Sequence, residues 1–249
     1  NKPRLACARP QNMTPRPAIA SFESPDALAR SAAEQFAQKL LAAGQRPLNI
    51  GLPGGRIYSL FFSCLADEAR SHPGILDNAR FFWGDERCVP PEHPESNFRL
   101  AKQSLFDPLQ IPHERVFRIQ GETKPDTAAE LAEKQIRSLV PLLNDVPALD
   151  YVFLGMGEDG HVASLFPGEA PEQITSKAVY RAVVGPKPPP DRVTLGYAAL
   201  WAAKNLWVLV SGSGKSGALK QSLSPGGATP LARVLSRRDQ ALIFTDCGL

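Results

Sequence analysis

Short apolar runs of four to six residues recur along this chain, and between them lie longer stretches in which apolar residues return at helical spacing. The runs at 47–52, 79–83, 149–154, 179–184, 206–210 and 240–245 are bounded by Gly, Pro or charged residues, which predicts buried strands. Ser24-Pro25-Asp26 is a helix start, and Leu28, Ala32, Phe36 and Leu40 follow it at i, i+4 spacing until Gly44 stops the pattern. Further helices are predicted over 57–69, over 98–105 with Asn97 as the cap, and over 125–143. The last has a face of Ala128, Leu131, Ala132, Gln135, Ile136 and Leu139, which predicts a helix covering the sheet. Strands alternating with helices give an α/β class: a doubly wound, mostly parallel, Rossmann-like sheet with helices on both faces.

Such a sheet gathers ligands at the carboxyl ends of its strands, and four of these ends carry unusual residues. The run 149–154 empties into Gly155-Met156-Gly157, followed at once by Glu158, Asp159 and His161. Carboxylates crowded against an imidazole at a strand end point to proton transfer. The same letters satisfy G-x-G-x-x-G through Gly155, Gly157 and Gly160, but the match lies in mid-chain, and Glu158 and Asp159 would set negative charge beside a pyrophosphate. A plain tight turn with a solvated histidine is the bland alternative.

The strand at 79–83 ends in Gly84-Asp85-Glu86-Arg87, read either as a charged site loop or as a solvated turn with a local ion pair. Pro53-Gly54-Gly55-Arg56, between a strand and a helix, has the form of a phosphate cradle, in which glycines admit an anion to backbone N–H groups at a helix N-terminus. An ordinary βα turn has the same spacing. Ser211-Gly212-Ser213-Gly214-Lys215 repeats the pattern of glycines and a cation after a strand, with the wrong glycine spacing for a Walker A loop. The second double-glycine segment, 224–230, follows a helical stretch and is predicted to be a loop.

Composition narrows the classes. With 249 residues, 43% of them apolar, the chain can bury one full core without metal or disulfide, so 18–249 is expected to be a single domain. Residues 1–17, rich in Pro, Arg, Asn and Gln without period, are expected to be a loose arm. A net charge of +3 without a basic stripe argues against a nucleic-acid partner and suits a small anionic substrate. Cys7, Cys64, Cys88 and Cys247 are scattered, without C-x-x-C or metal spacing, as in a reduced cytoplasmic protein. No apolar run approaches the length of a membrane span. The expectation is a cytoplasmic protein, a monomer, without metal or cofactor.

The segment LGMGEDGHVASLFPG, 154–168, closely resembles the signature of the 6-phosphogluconolactonases, a branch of the family that also contains the glucosamine-6-phosphate deaminases. W-G-D-E-R at 83–87, Ser96-Asn97, R-V-T at 192–194 and the loop ending in Lys215 fall where that family has its counterparts, so the resemblance covers nearly the whole chain. It implies hydrolysis of 6-phospho-D-glucono-1,5-lactone to 6-phosphogluconate, with His161 as the general base and Asp85 or Asp159 orienting it or holding sugar hydroxyls. Gly54, Gly55, Arg56, Arg192 and Lys215 would fix the phosphate, and Arg87 would join them or pair with a local carboxylate. The chain departs from the family's hydroxyl-rich double-glycine turn, having Pro53 before the glycines and Arg56, Ile57 and Tyr58 after them. Two alternatives stand beside this reading. A deaminase would follow D-G-H with Ala-Phe-Asn-Glu where this chain has Val162-Ala163-Ser164-Leu165-Phe166-Pro167, and a silent sugar-phosphate-binding regulator would not need an intact Asp85 and His161.

Overall fold

The computed structural model describes residues 17–238 and 240–248, so the expected arm at 1–17 lies, apart from Pro17, outside the described residues. Strand β1 (Ala18–Ser21) leads into helix α1 (Pro25–Ala43), β2 (Leu48–Leu52), α2 (Arg56–Ser71), β3 (Ala79–Trp83) and the short β4 (Asp85–Arg87). Helices α3 (Asn97–Ala101) and α4 (Asp107–Leu109) come next, joined by a π-helical turn, and then α5 (Pro125–Leu139). The hairpin β5 (Leu142–Leu143) and β6 (Val146–Pro147) precedes β7 (Tyr151–Gly155), α6 (Pro171–Thr175), β8 (Tyr180–Val184) and β9 (Asp191–Leu195). The chain closes with α7 (Tyr197–Ala202), β10 (Asn205–Val210), α8 (Ser216–Leu223), α9 (Pro230–Leu235) and β11 (Leu242–Thr245).

Six strands form one wholly parallel sheet in the order β1-β11-β10-β7-β2-β3. Strand β7 is therefore central, flanked by β10 and β2, and the order reverses there, so its carboxyl end opens at the switch point between crossovers running in opposite directions. The apolar runs account for this arrangement, since β7 and, after Asn205, β10 are buried and read as near-continuous hydrophobic sequence. Helix α1 starts where Ser24 Oγ accepts the Ala27 N–H at 3.2 Å, and it stops at Gly44, whose φ of 66° an L side chain would resist. It buries Leu28, Ala32, Phe36 and Leu40. The ring of Phe36 stands edge-on to Phe153 at 4.9 Å and to Tyr151 at 5.0 Å, which locks α1 against the central strand.

Three sequence expectations are corrected. Residues 85–87 are not a loop: they form β4, which pairs antiparallel with β9, and β9 pairs with β8, giving a second sheet in the order β4-β9-β8. The helix expected over 98–105 begins at Asn97, and its cap is Ser96, whose Oγ accepts the Arg99 N–H at 3.2 Å. The helix expected to run to residue 143 ends at Leu139, because Pro141 and the positive φ of Asn144 and Asp145 turn the chain into the β5–β6 hairpin. Helix α5 packs on β8 and β9 of the second sheet, through Ala128, Ala129, Ala132 and Ile136. Segment 224–230 is a loop, and its Thr229 caps α9 by accepting the Ala232 N–H at 3.1 Å. No helix among the described residues is long and apolar enough to cross a membrane.

Candidate active site

The turn that leaves β7 is built for one imidazole. Gly157 N–H donates to the His161 carbonyl at 2.9 Å and Gly160, at φ 79°, lets the chain reverse between them. A Cβ on Gly157 would stand 2.1 Å from His161 Nδ1 and 2.7 Å from Asp159 Oδ1, so a glycine there is a condition of the ring's position. Gly160 is equally confined, its missing Cβ lying 2.7 Å from Thr229 Cβ, and its carbonyl accepts the Leu231 N–H. The double-glycine segment 224–230, predicted to be a loop, thus backs the His161 turn.

His161 Nδ1 lies 2.6 Å from Asp159 Oδ1, and the same oxygen accepts the His161 backbone N–H at 3.1 Å. Burial pushes the Asp159 carboxyl upward, but the two bonds from His161 outweigh it and hold the group below the usual carboxylate range. An ionised carboxylate can only accept, so the proton between the two residues sits on Nδ1, and in the neutral imidazole the lone pair is then on Nε2. The Phe166 ring centroid lies 4.9 Å from that of the imidazole and 5.7 Å from the Arg192 guanidinium carbon.

Asp85, expected to orient His161 or hold sugar hydroxyls, makes no hydrogen bond to the imidazole; Asp159 is the orienting partner. Asp85 is buried, with Oδ2 accepting Ser164 Oγ–H at 2.6 Å and its carbonyl accepting Asn97 Nδ2–H at 2.9 Å. Neighbouring Glu86 has left the site altogether. Its carboxylate turns back to the start of α3, accepting the N–H groups of Asn97, Phe98 and Arg87 and the Ser96 hydroxyl within 3.1 Å. Burial pushes this carboxyl up to about 7 against those donors.

The cations form two groups. Arg56, at the first turn of α2, and Lys215 lie close enough to repel one another, with Glu158 and Asp246 beside Lys215. Burial and then Arg56 lower the Lys215 ammonium from its ordinary value, against the pull of Cys247, Glu158 and Asp246. Asp246 shapes this loop, accepting Ser211 Oγ–H at 2.6 Å and Gly212 N–H at 2.8 Å. Arg192 faces Arg87 across the β4–β9 ladder, where burial and the Arg87 charge depress its guanidinium. Arg87 is held by the Glu95 carbonyl at 2.6 Å and the Glu95 carboxylate at 3.3 Å, the local pairing that the sequence left open. Arg192 finds only the carbonyls of Pro189 and Lys187, each at 3.2 Å. Among the described residues Arg56, Arg192 and Lys215 have no salt bridge.

Gly54 and Gly55 lie between β2 and α2 as expected. A Cβ on Gly54 would meet Asn97 Oδ1 at 1.8 Å, and Gly55, at φ 104°, precedes the first turn of α2. Sequence reasoning missed Ser164, Thr194 as its backbone acceptor, Phe166 and Asp246, because each acts through a contact between loops far apart in the chain. Among the described residues no group of three His, Cys, Asp or Glu side chains is placed to hold a metal ion.

Comparison with known proteins agrees with this architecture. Residues 23–244 match the family model described as glucosamine-6-phosphate isomerases/6-phosphogluconolactonase. A 6-phosphogluconolactonase of Haemophilus influenzae is 35% identical over 197 residues, covering 78% of this chain and 82% of the relative. The human 6-phosphogluconolactonase is 34% identical over 226 residues, 89% of this chain and 87% of the relative. The solved 6-phosphogluconolactonase of Trypanosoma brucei superposes with a TM-score of 0.82 at 32% identity, over 92% of this chain and 95% of that one. With its signature on the central strand and a match spanning nearly its whole length, the chain belongs to the glucosamine-6-phosphate isomerase/6-phosphogluconolactonase family.

Proposed function

We propose that this protein is a 6-phosphogluconolactonase, hydrolysing 6-phospho-D-glucono-1,5-lactone to 6-phosphogluconate in the oxidative pentose phosphate pathway. The observation that carries this reading is the Asp159–His161 pair at 2.6 Å, set at the end of the central strand beside cations that lack carboxylate partners. Asp159 keeps the Nδ1 proton in place, so Nε2 takes a proton from water as its oxygen adds to the lactone carbonyl carbon. When the tetrahedral intermediate collapses, the bond from that carbon to the ring oxygen breaks and Nε2–H delivers the proton to the departing oxygen. The imidazole ends neutral, ready for a second turnover. A δ-lactone is electrophilic enough for an activated water to open it.

The Gly54–Gly55 amides at the start of α2, with Arg56, Lys215 and Arg192, hold the phosphate. Arg192 is buried and Lys215 half-buried, and burial depresses both, the condition of a cation whose anion arrives with the ligand. Arg87 stays on Glu95 and adds its charge beside Arg192. Asp85 accepts from a sugar hydroxyl. In this role the protein works as a cytoplasmic monomer on a small phosphorylated lactone, with neither cofactor nor nucleic-acid or membrane partner. Among the described residues the thiols of Cys64, Cys88 and Cys247 are free. An assay that generates the lactone in place and follows 6-phosphogluconate tests the reading. A rate well above spontaneous hydrolysis is expected, and a rate equal to the spontaneous one would sink it.

A further inference from the structure

Ser164 is fully buried three residues beyond His161. Its Oγ donates to Asp85 Oδ2 at 2.6 Å, whereas Asn97 Nδ2, engaged mainly with the Asp85 carbonyl, approaches Oδ1 only to 3.4 Å. The serine hydroxyl is therefore the one short side-chain bond on that carboxylate among the described residues. Ser164 is itself fixed from the strand side: its backbone N–H donates to Thr194 Oγ1 at 3.1 Å, and Thr194 is the β9 residue in register with Asp85. Between His161 and Ser164 the chain passes through Ala163 at φ 50°, a left-handed conformation that a non-glycine residue adopts at a cost and that clusters at functional sites. A nucleophilic serine would need exposure and an imidazole to take its proton. Ser164 has neither, since its hydrogen points at Asp85 and the imidazole is bonded to Asp159.

We infer that Ser164 is a positioning residue for Asp85. Its hydroxyl occupies Oδ2 and fixes the plane of the carboxylate, so that Oδ1 is the oxygen offered to a hydroxyl of the substrate sugar, and it ties the loop carrying His161 to β4. The inference rests on the proposed lactonase reading for what Asp85 accepts from. A charge-assisted bond of this kind is worth at least about tenfold in an equilibrium or rate constant.

The test is a double-mutant cycle of Ser164→Ala with Asp85→Asn, measuring kcat and KM for the lactone, Kd for 6-phosphogluconate and the melting temperature of each variant. Ser164→Ala is expected to weaken ligand affinity and kcat/KM by about tenfold in the parent chain, and by less than about twofold once Asp85 is Asn. Ser164→Cys, which keeps the volume but donates weakly, is expected to fall between and supplies the comparison if the alanine variant does not fold. Equal losses in both backgrounds, or no loss in either, would overturn the inference, because a serine that only supports the fold does not depend on Asp85. If the parent chain fails to hydrolyse the lactone, the lactonase reading falls, and the 6-phosphogluconate cycle still decides what Ser164 does for Asp85.

Discussion

Asp159 and His161 are separated by one glycine, yet the carboxylate reaches round that turn to accept from both the ring Nδ1 and the backbone N–H of the histidine. This fixes ring plane and tautomer from within a single loop. His161→Ala should lower kcat about 10²- to 10⁴-fold with a far smaller change in KM, and Asp159→Asn should lower it about 10- to 100-fold, since the pair is partly exposed and water can take over some of the orienting role. Steady-state kinetics on variants of unchanged melting temperature check both, and undiminished kcat in His161→Ala would remove it from the mechanism.

Gly157 tests position without replacing a titrating group. A methyl there must displace the imidazole, whose side chain is 29% exposed, so Gly157→Ala should cost at least about tenfold in kcat and little stability. Comparing kcat with the thermal midpoint separates the two effects.

Arg192 and Lys215 belong to separate cation groups, and the proposed phosphate contact joins them. Either alanine variant should weaken 6-phosphogluconate binding about 10- to 150-fold, the equivalent of a charge-assisted hydrogen bond, and barely alter binding of gluconate. The double variant should lose less than the sum if one phosphate meets both side chains. Equal losses for both ligands would place the two residues on the sugar or on the fold.

Glu86 predicts a pH dependence of stability. Its carboxyl is raised to about 7 by burial, above an unfolded value of about 4.3, so the folded chain binds the extra proton between those limits. The contribution is present in full below about pH 4.3 and is lost as pH rises through 7. Glu86→Gln should remove this slope. It should also cost about 1–3 kcal/mol at pH 5, because an amide nitrogen would face backbone N–H groups at the start of α3. Denaturant unfolding at pH 5, 6 and 7 would show it, and parallel curves for the two proteins would count against it.

Chelation addresses the expectation of metal independence. Turnover should be unchanged after treatment with EDTA; loss restored by a divalent ion would make ligands of Asp85, Asp159 and His161.

The sequence by itself determined five of the six strands of the parallel sheet, because strands buried on both faces must be runs of apolar residues and the helices between them must show a 3.6-residue stripe; it missed the edge strand β1, whose residues are mostly exposed, and it could not tell that the run at 179–184 pairs antiparallel in the second sheet. It also marked the strand ends at which glycines and charges gather, since glycines and charges after an apolar run have few structural uses in common. Where each charged side chain goes was decided only by the tertiary structure. Asp85, Glu86 and Arg87 look alike on the page as one charged tip, but β4 pairs with β9, and alternation along that ladder sends Asp85 to Ser164, Glu86 to the amides of α3 and Arg87 to Glu95. The choice between Asp85 and Asp159 as the partner of His161 likewise waited on a turn whose reach depends on Gly157 having no Cβ. Such distances are set by how loops 30 to 80 residues apart pack, as between Ser164 and Thr194 or Ser164 and Asp85, and local residue patterns carry no record of that packing.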